Sequence, residues 1–362
     1  MTAVALTGAH GFLGWHLRSA LLGHGVASRP IAVGEAFVEA DASAAIDGSS
    51  RLVHVAGVNR GTDEEVREGN LLFARQLAAA LQTAVTPPEV VVFANSVQAT
   101  DDSVYGVAKA GAADIVRRAA ESVGARFEDR LLPNLFGEHG APFYNSVVAT
   151  FSQLLATGGE PNIVADRELA LLHAQDAADL LIGAAGSVDD RITRASVSAI
   201  LAKLRGISAQ YRSGEIPDIA RPFDRDLFNT YRSFSFPASG PFPLKANTDA
   251  RGSFFELVRA GGGESQASFS TTAPGISRGD HFHRRKVERF AVVEGDAVIS
   301  MRRLFTAEVL RFEVSGEHPV AIDMPTMWSH RIENSGDRTL VTSFWANELF
   351  RPEHPDTTPE AV

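Results

Sequence analysis

The sequence predicts two domains, a doubly wound parallel α/β domain over residues 1–240 and an antiparallel all-β double-sheet barrel over 241–362. Three observations carry this. An apolar strand, Val4 to Thr7, runs straight into a glycine triplet and an apolar helical pattern. Strand and helix patterns then alternate along the first two thirds of the chain. After FSFPASGPFPLKANTD, a stretch rich in Pro, Ser and Gly, short strands separated by glycine-bearing turns take over.

With 362 residues the chain is long enough for a substantial core in each domain. Its 34 basic and 44 acidic residues give a net charge of -10, which argues against a nucleic-acid or anionic-membrane surface. There is no cysteine, so any metal must be held by histidine and carboxylate. The start, MTAVALTGAHGFLG, lacks a basic leader pattern and no run reaches membrane-spanning length, which predicts a cytoplasmic protein.

The first turn, Gly8-x-x-Gly11-x-x-Gly14, has the strand–turn–helix context of a dinucleotide site, so Gly8, His10, Gly11, Phe12, Leu13 and Gly14 are cofactor-binding candidates. The second strand falls within Val26 to Val33, with Arg29 near its end where a 2′-phosphate would lie, which leans towards NADPH. Arg51 to Gly57 is a buried strand ending in small residues, and places Ala56 beside the cofactor. Asn59, Arg60 and Asn70 follow in a loop that becomes a helix. The strand EVVVFANS ends at Ser96, and Tyr105 and Lys109 then lie at i and i+4, on one face of the next helix. An ammonium beside a phenol favours the phenolate, which would tune Tyr105 as acid or base near neutrality, with Ser96 bonding the same substrate oxygen.

Further on, Pro133, Asn134 and Gly137 mark a loop, and Asn145 either reaches a substrate or caps the helix SVVATFSQLLA. His173 and Asp176 sit at a strand-to-helix junction. Segment 187–233 shows short helical patterns and many arginines, with no chemistry assigned. In the all-β part, GISRGDHFHRRKVERFAVVEG places His281 and His283 at i and i+2, on one face of a strand, with Glu288 at the start of the next apolar run. His330 supplies a fourth donor from a later strand. Three imidazoles and a carboxylate suit zinc, iron, nickel or manganese better than magnesium or calcium. The end of the chain, RPEHPDTTPEAV, reads as an extended tail.

Two resemblances follow from these residues. TGAHGFLG with Ser96, Tyr105 and Lys109 resembles the extended, nucleotide-sugar branch of the Rossmann-like short-chain dehydrogenase/reductases. Gly275, His281, His283, Glu288 and Gly295 fill the first cupin signature, a double-stranded β-helix barrel; Pro325, His330 and Asn334 fit the second, but Met327 stands where that pattern has glycine. Their union, with HVAGVNR, PNLFG, YNSVVATF, DARGSFFE and WANELFRPEHPDT, is similar to the bifunctional capsular polysaccharide assembling protein F family, with Leu132 where an aromatic is expected.

That resemblance implies epimerisation at C3 of a UDP-2-acetamido-2,6-dideoxy-4-hexulose in the barrel and NADPH-dependent reduction of its C4 ketone in the N-terminal domain. It further implies a homodimer formed through the barrel and one divalent metal, with zinc the first choice. Tyr105 would protonate the developing alkoxide, Lys109 would tune it and hold the ribose, and Ser96 would orient the carbonyl. The epimerisation base is open between Lys286 and a water on the metal, since all four tyrosines precede the barrel. The rivals are a redox-neutral 4-epimerase or dehydratase, and a simple reductase with a structural barrel.

Overall fold

The computed structural model describes residues 3–244, 246–249, 252–255 and 257–362; of the expected linker and the strand GSFFELV, Lys245, Ala250, Arg251 and Glu256 lie outside the described residues. The chain clusters into two compact units, Met1–Leu135 with Leu169–Arg194, and Phe136–Glu168 with Ala195–Val362.

In the first unit, β1 (Ala3–Thr7), α1 (Phe12–Gly23), β2 (Ala27–Ile31), α2 (Glu39–Ile46), β3 (Arg51–His54), α3 (Asp63–Thr83), β4 (Val90–Ser96), α4 (Val104–Ser122) and β5 (Arg126–Leu132) follow in order. The five strands are parallel and lie in the order β2-β1-β3-β4-β5. Because strand side chains alternate, Val4, Leu6, Val53 and Val92 enter one apolar layer while Ala5, Leu52, Val91 and Phe93 enter the other. The order reverses direction at β1, so the crevice between the ends of β1 and β3 is the place for a dinucleotide. Helix α3 is held at its start by a reciprocal cap between Thr62 and Glu65.

The chain continues through β6 (Asn134–Phe136), α5 (Val147–Ala156), β7 (Glu168–His173), α6 (Ala174–Ile182) and β8 (Thr193–Ser196), with β6, β7 and β8 in a three-stranded sheet. Helix α5 is capped by the Ser146 side chain, which accepts from the Ala149 N–H. The cap is therefore one residue later than the expected Asn145, because Ser146 is the last residue with extended backbone.

In the second unit, α7 (Val197–Arg212) and α8 (Pro222–Ser235) precede β9 (Phe242–Pro243), β10 (Ala246–Asp249), β11 (Gly252–Phe255), β12 (Gln266–Thr272), β13 (Ser277–Phe282), β14 (Glu288–Glu294), β15 (Asp296–Arg303), β16 (Val309–Ser315), β17 (Val320–Met324), β18 (Trp328–Asn334), β19 (Leu340–Ala346) and β20 (Thr358–Pro359). Two five-stranded antiparallel sheets form, in the orders β12-β19-β14-β17-β9 and β16-β15-β18-β13-β20. Val292, Ile322, Met324 and Leu340 of the first share one core with Ala297, Ile299, Met301 and Ile332 of the second. Among the described residues the expected barrel is thus two facing sheets rather than one closed ladder.

The arginine-rich segment that suggested no chemistry folds as α7 and α8 and reaches into this sandwich. Arg289 and Asp323, each 2% exposed at the side chain, form a buried pair with Nε–Oδ1 of 2.7 Å. The Tyr211 hydroxyl donates to Asp323 Oδ2 at 2.6 Å, and Arg289 Nη1 donates to Gly214 O at 2.6 Å. Burial alone would raise the Asp323 carboxyl, but the Arg289 charge and its bonds override this and hold it below the usual range. Asp323→Ala strands a buried guanidinium, and is expected to cost about 3–5 kcal/mol of stability. Urea unfolding would show it; a loss under about 1 kcal/mol would mean the pair adds nothing.

Candidate active and metal sites

In the first unit the glycine loop is shaped by backbone that only glycine permits. Gly8 has φ +67°, and a Cβ there would sit 2.8 Å from the Ala56 nitrogen. A Cβ on Gly14 would meet Gly8 O at 2.0 Å, so α1 lies against the turn only because that residue is glycine. The N-cap of α1, Gly11, makes no side-chain cap bond and the first turn holds no acid, which leaves its N–H groups for an anion. His10 is exposed beside it, Phe12 packs edge-on against His16, and Leu13 packs into the core under the loop. Ala56 closes the crevice from β3, its N–H donating to Thr7 Oγ1 at 3.2 Å. Arg29 lies at the centre of β2, and its Nη1 donates to Asp47 O at 2.6 Å. These residues fit a nicotinamide dinucleotide: a pyrophosphate would meet uncapped N–H donors at a turn of three glycines that carry no side chain.

Ser96 ends β4, where its hydroxyl accepts from the Gln98 N–H at 3.2 Å. Tyr105 is in the first turn of α4, and Lys109 one turn on is buried. A Cβ on Gly106 would meet Gln98 O at 2.2 Å, so the start of α4 presses against the residues that follow Ser96. The Lys109 ammonium donates to Ala94 O at 2.7 Å and lies 4.2 Å from the Phe93 ring centre. Burial lowers its pKa to about 8, with Asp129 opposing. The expected lowering of the phenol is not what the structure gives: burial pushes Tyr105 up, because the phenol loses water while the ammonium is engaged with a carbonyl. A raised phenol is an acid at neutral pH, the form a ketone reduction needs.

Next to these residues His54 is buried, with its pKa lowered to about 3 by burial and by Lys109. Thr7 Oγ1 accepts from the Val55 and Ala56 N–H groups, so its own proton is available to His54 Nδ1 at 2.8 Å. A histidine depressed in the folded state takes its proton only on unfolding. Stability from it is therefore full above pH 6.5 and is lost as pH falls towards 3. Between pH 7 and 5 the loss is about 2 kcal/mol from this residue, and His54→Gln is expected to remove that much of the difference in urea unfolding.

Of the other first-unit candidates, Asn70, Asn134 and Asp176 are tied to neighbouring groups. Asn70 Nδ2 donates to Val58 O and Val66 O at 2.7 Å each, Asn134 Nδ2 donates to Ala170 O, and Arg191 pairs with Asp176 at 3.3 Å. His173 caps the start of α6 by position and its ring lies 6.1 Å from that of His16. Asn59 and Arg60 lie in the loop between β3 and α3.

In the second unit, His281, His283, Glu288 and His330 offer ligand atoms that all lie within 4.8 Å of one another. His281 is on β13 and His330 on its neighbour β18, while Glu288 opens β14 in the facing sheet. A bulge between Gly279 and His281 aims the first ring: Gly279 has φ +113°, and a Cβ there would meet His330 O at 2.6 Å. His283 Nε2 is 2.8 Å and His330 Nε2 3.5 Å from Glu288 Oε2. Burial, then His330 and His283, lower His281 to about 4, which keeps it neutral. Burial opposes ionisation of Glu288, but the two histidines hold it well below the usual range. Burial also pulls His283 down, and Glu288 outweighs it, so the net shift is up. The buried His330 Nε2 has no hydrogen-bond partner. A neutral His281, an ionised Glu288 and the unpaired Nε2 of His330 converging on one point with His283 fit a divalent metal.

Met327, at the expected glycine position, has φ +63°, a left-handed conformation, and its N–H donates to His283 O at 2.7 Å. The methionine carries a strain that glycine would not. Asn334 is a clasp, its Nδ2 donating to Thr272 O and Arg338 O at 2.8 Å each. Lys286 is buried, its Nζ donating to Pro355 O at 2.9 Å and lying 3.4 Å from Thr357 Oγ1. Those acceptors belong to the extended tail, which pairs with β13 through Thr358 and Pro359.

Known proteins resemble the chain at both levels. Residues 4–194 match the model of the NAD dependent epimerase/dehydratase family, and residues 247–358 that of the polysaccharide biosynthesis C-terminal domain. The crystal structure of capsular polysaccharide assembling protein CapF from Staphylococcus aureus is 30% identical, covers 100% of both chains and superposes with a TM-score of 0.61. A UDP-2-acetamido-2,6-beta-L-arabino-hexul-4-ose reductase of Pseudomonas aeruginosa is 29% identical, over 98% of this chain and 97% of its own. A UDP-glucose 4-epimerase of Thermotoga maritima, 16% identical with a TM-score of 0.50, matches 57% of this chain and 83% of its own and shares the fold. Among the described residues no helix is long and apolar enough to cross a membrane.

Proposed function

The chain belongs to the NAD dependent epimerase/dehydratase family and is a CapF-like capsular polysaccharide protein, and from that premise we propose that it is a bifunctional nucleotide-sugar enzyme. Its C-terminal domain, read as a cupin, epimerises C3 of a UDP-2-acetamido-2,6-dideoxy-4-hexulose. Its N-terminal domain reduces the C4 ketone to UDP-2-acetamido-2,6-dideoxy-L-talose. The observation that carries the two-step reading is the convergence of His281, His283, Glu288 and His330 in a chain that also bears Ser96, Tyr105 and Lys109.

For reduction, a nicotinamide, which we take to be NADPH, supplies hydride to C4 when bound. Gly8, Gly11, Gly14 and Ala56 shape its crevice, and Lys109 holds its ribose. Tyr105, protonated at neutral pH, gives its proton to the oxygen that becomes the C4 hydroxyl, and Ser96 orients that oxygen. For epimerisation, the C3 proton is acidic because the C4 carbonyl stands beside it. A divalent metal held by the three histidines and Glu288, with zinc our choice, would act as a Lewis acid for the charge developing on the C4 oxygen. Lys286 is the candidate base, and must give up Pro355 O and Thr357 to reach a substrate. Arg29 as the 2′-phosphate contact, a homodimer formed through the C-terminal domain and a cytoplasmic location complete the proposal.

The test is proton NMR of the UDP-4-hexulose in D2O with the protein and no nicotinamide. Loss of the C3–H signal with appearance of a second ketone isomer is the expected result. Persistent C3–H together with NADPH oxidation would leave a one-step reductase on a structural C-terminal domain.

A further inference from the structure

The tail after Phe350 carries none of the candidate site residues, yet it is tied along the strand that bears the first histidine. His281 and Phe282 of β13 pair with Pro359 and Thr358 of β20. The Glu360 N–H donates to Asp280 O at 2.9 Å, and Arg302 Nη2 to Glu360 Oε1 at 2.6 Å. At the head of this strap stands Asp356, in left-handed backbone with φ +44°. Its carboxylate accepts three consecutive N–H groups from the turn between β13 and β14: Arg284 at 3.1 Å, and Arg285 and Lys286 at 2.9 Å each. The Arg285 guanidinium lies 3.7 Å from the same carboxylate.

The main-chain carbonyl of Asp356 lies 2.5 Å from His283 Nδ1. A carbonyl only accepts, so Nδ1 must carry a proton there. Nε2 is then the nitrogen that His283 presents to Glu288 and the cluster. The carboxylate and the carbonyl of one residue thus fix both the turn that carries His283 and the orientation of its ring. We infer that Asp356 is a positioning residue for the metal site, holding His283 in the tautomer and direction that ligation by Nε2 requires; this rests on the metal reading above. Outer partners of this kind are worth about 10–100-fold in metal affinity.

The test uses the full-length protein stripped with a chelator, and Zn2+ affinity measured by competition with a chromophoric chelator. Asp356→Ala is expected to weaken Zn2+ binding about 10–100-fold with unchanged far-ultraviolet circular dichroism. Reloading with Co2+ is expected to give an altered visible spectrum, which a loss of general stability would not produce. Asp356→Asn, which tolerates the left-handed backbone and keeps one acceptor oxygen, is expected to recover part of the affinity, and it decides the matter if the alanine variant does not fold. Affinities of the folded variants within twofold of wild type would overturn the inference. Wild-type protein that takes up no Zn2+ would overturn the metal reading itself, a separate and recognisable failure.

Discussion

Tyr105→Phe is expected to slow NADPH-dependent reduction of the 4-ketone by about 10²–10⁴-fold, the range found when a positioned proton donor is removed. The phenol stands in the first turn of α4, half-buried, and burial keeps it protonated at neutral pH. The developing C4 alkoxide is a far stronger base than a phenolate, so transfer from Tyr105 is downhill once hydride has moved. C3–H exchange in D2O, which needs no nicotinamide, is expected to persist in the variant. Stopped-flow NADPH absorbance gives the reduction rate, and a value within fivefold of wild type would rule Tyr105 out as the acid. The Lys109 charge gives a second handle. Its ammonium has a pKa of about 8 and is lost as pH rises through that value. The reduction rate should therefore fall above about pH 8, while Tyr105 itself is still protonated.

How far the sequence could be read depends on whether a residue's partners lie near it in the chain. The glycine loop was legible because its demands are local: Gly8 must take a positive φ, and Gly14 must lie against the carbonyl of Gly8. The histidine cluster was legible because a strand spacing of two and a glutamate at the next strand's start are local patterns. The sequence could not show that Gly279 sits in a bulge against β18, since the contact that requires it is with His330. Nor could it show why segment 187–233 matters. Tyr211 and Arg232 look like ordinary helix residues until Asp323 and Met324, roughly a hundred positions later, receive their bonds. The expected low phenol pKa failed for a related reason: spacing on a helix says nothing of burial, and burial decided the sign. The tail reads as extended from its composition, but its partners, the main-chain N–H groups of residues 284–286, are revealed by no side-chain pattern.

His281→Ala should separate the two activities that Tyr105→Phe separates from the other side. Of the four donors His281 is the half-exposed one, so its removal opens the cluster without burying an unpaired charge. Glu288 keeps His283 and His330 as neighbours at 2.8 and 3.5 Å, and the two sheets keep their common core. The fold should therefore survive. On the proposed mechanism, what is lost is one metal ligand of four, and with it the Lewis acid for the charge formed when the C3 proton leaves. A metal is worth several kcal/mol at such a step, and each 1.36 kcal/mol is tenfold in rate. C3–H exchange is accordingly expected to fall about 10²–10⁴-fold, while NADPH oxidation on a ketone already epimerised at C3 stays within about twofold of wild type. Exchange that continues at the wild-type rate in the variant, with Zn2+ absent by elemental analysis, would show that the proton is moved without the metal and would leave the cluster a structural clamp.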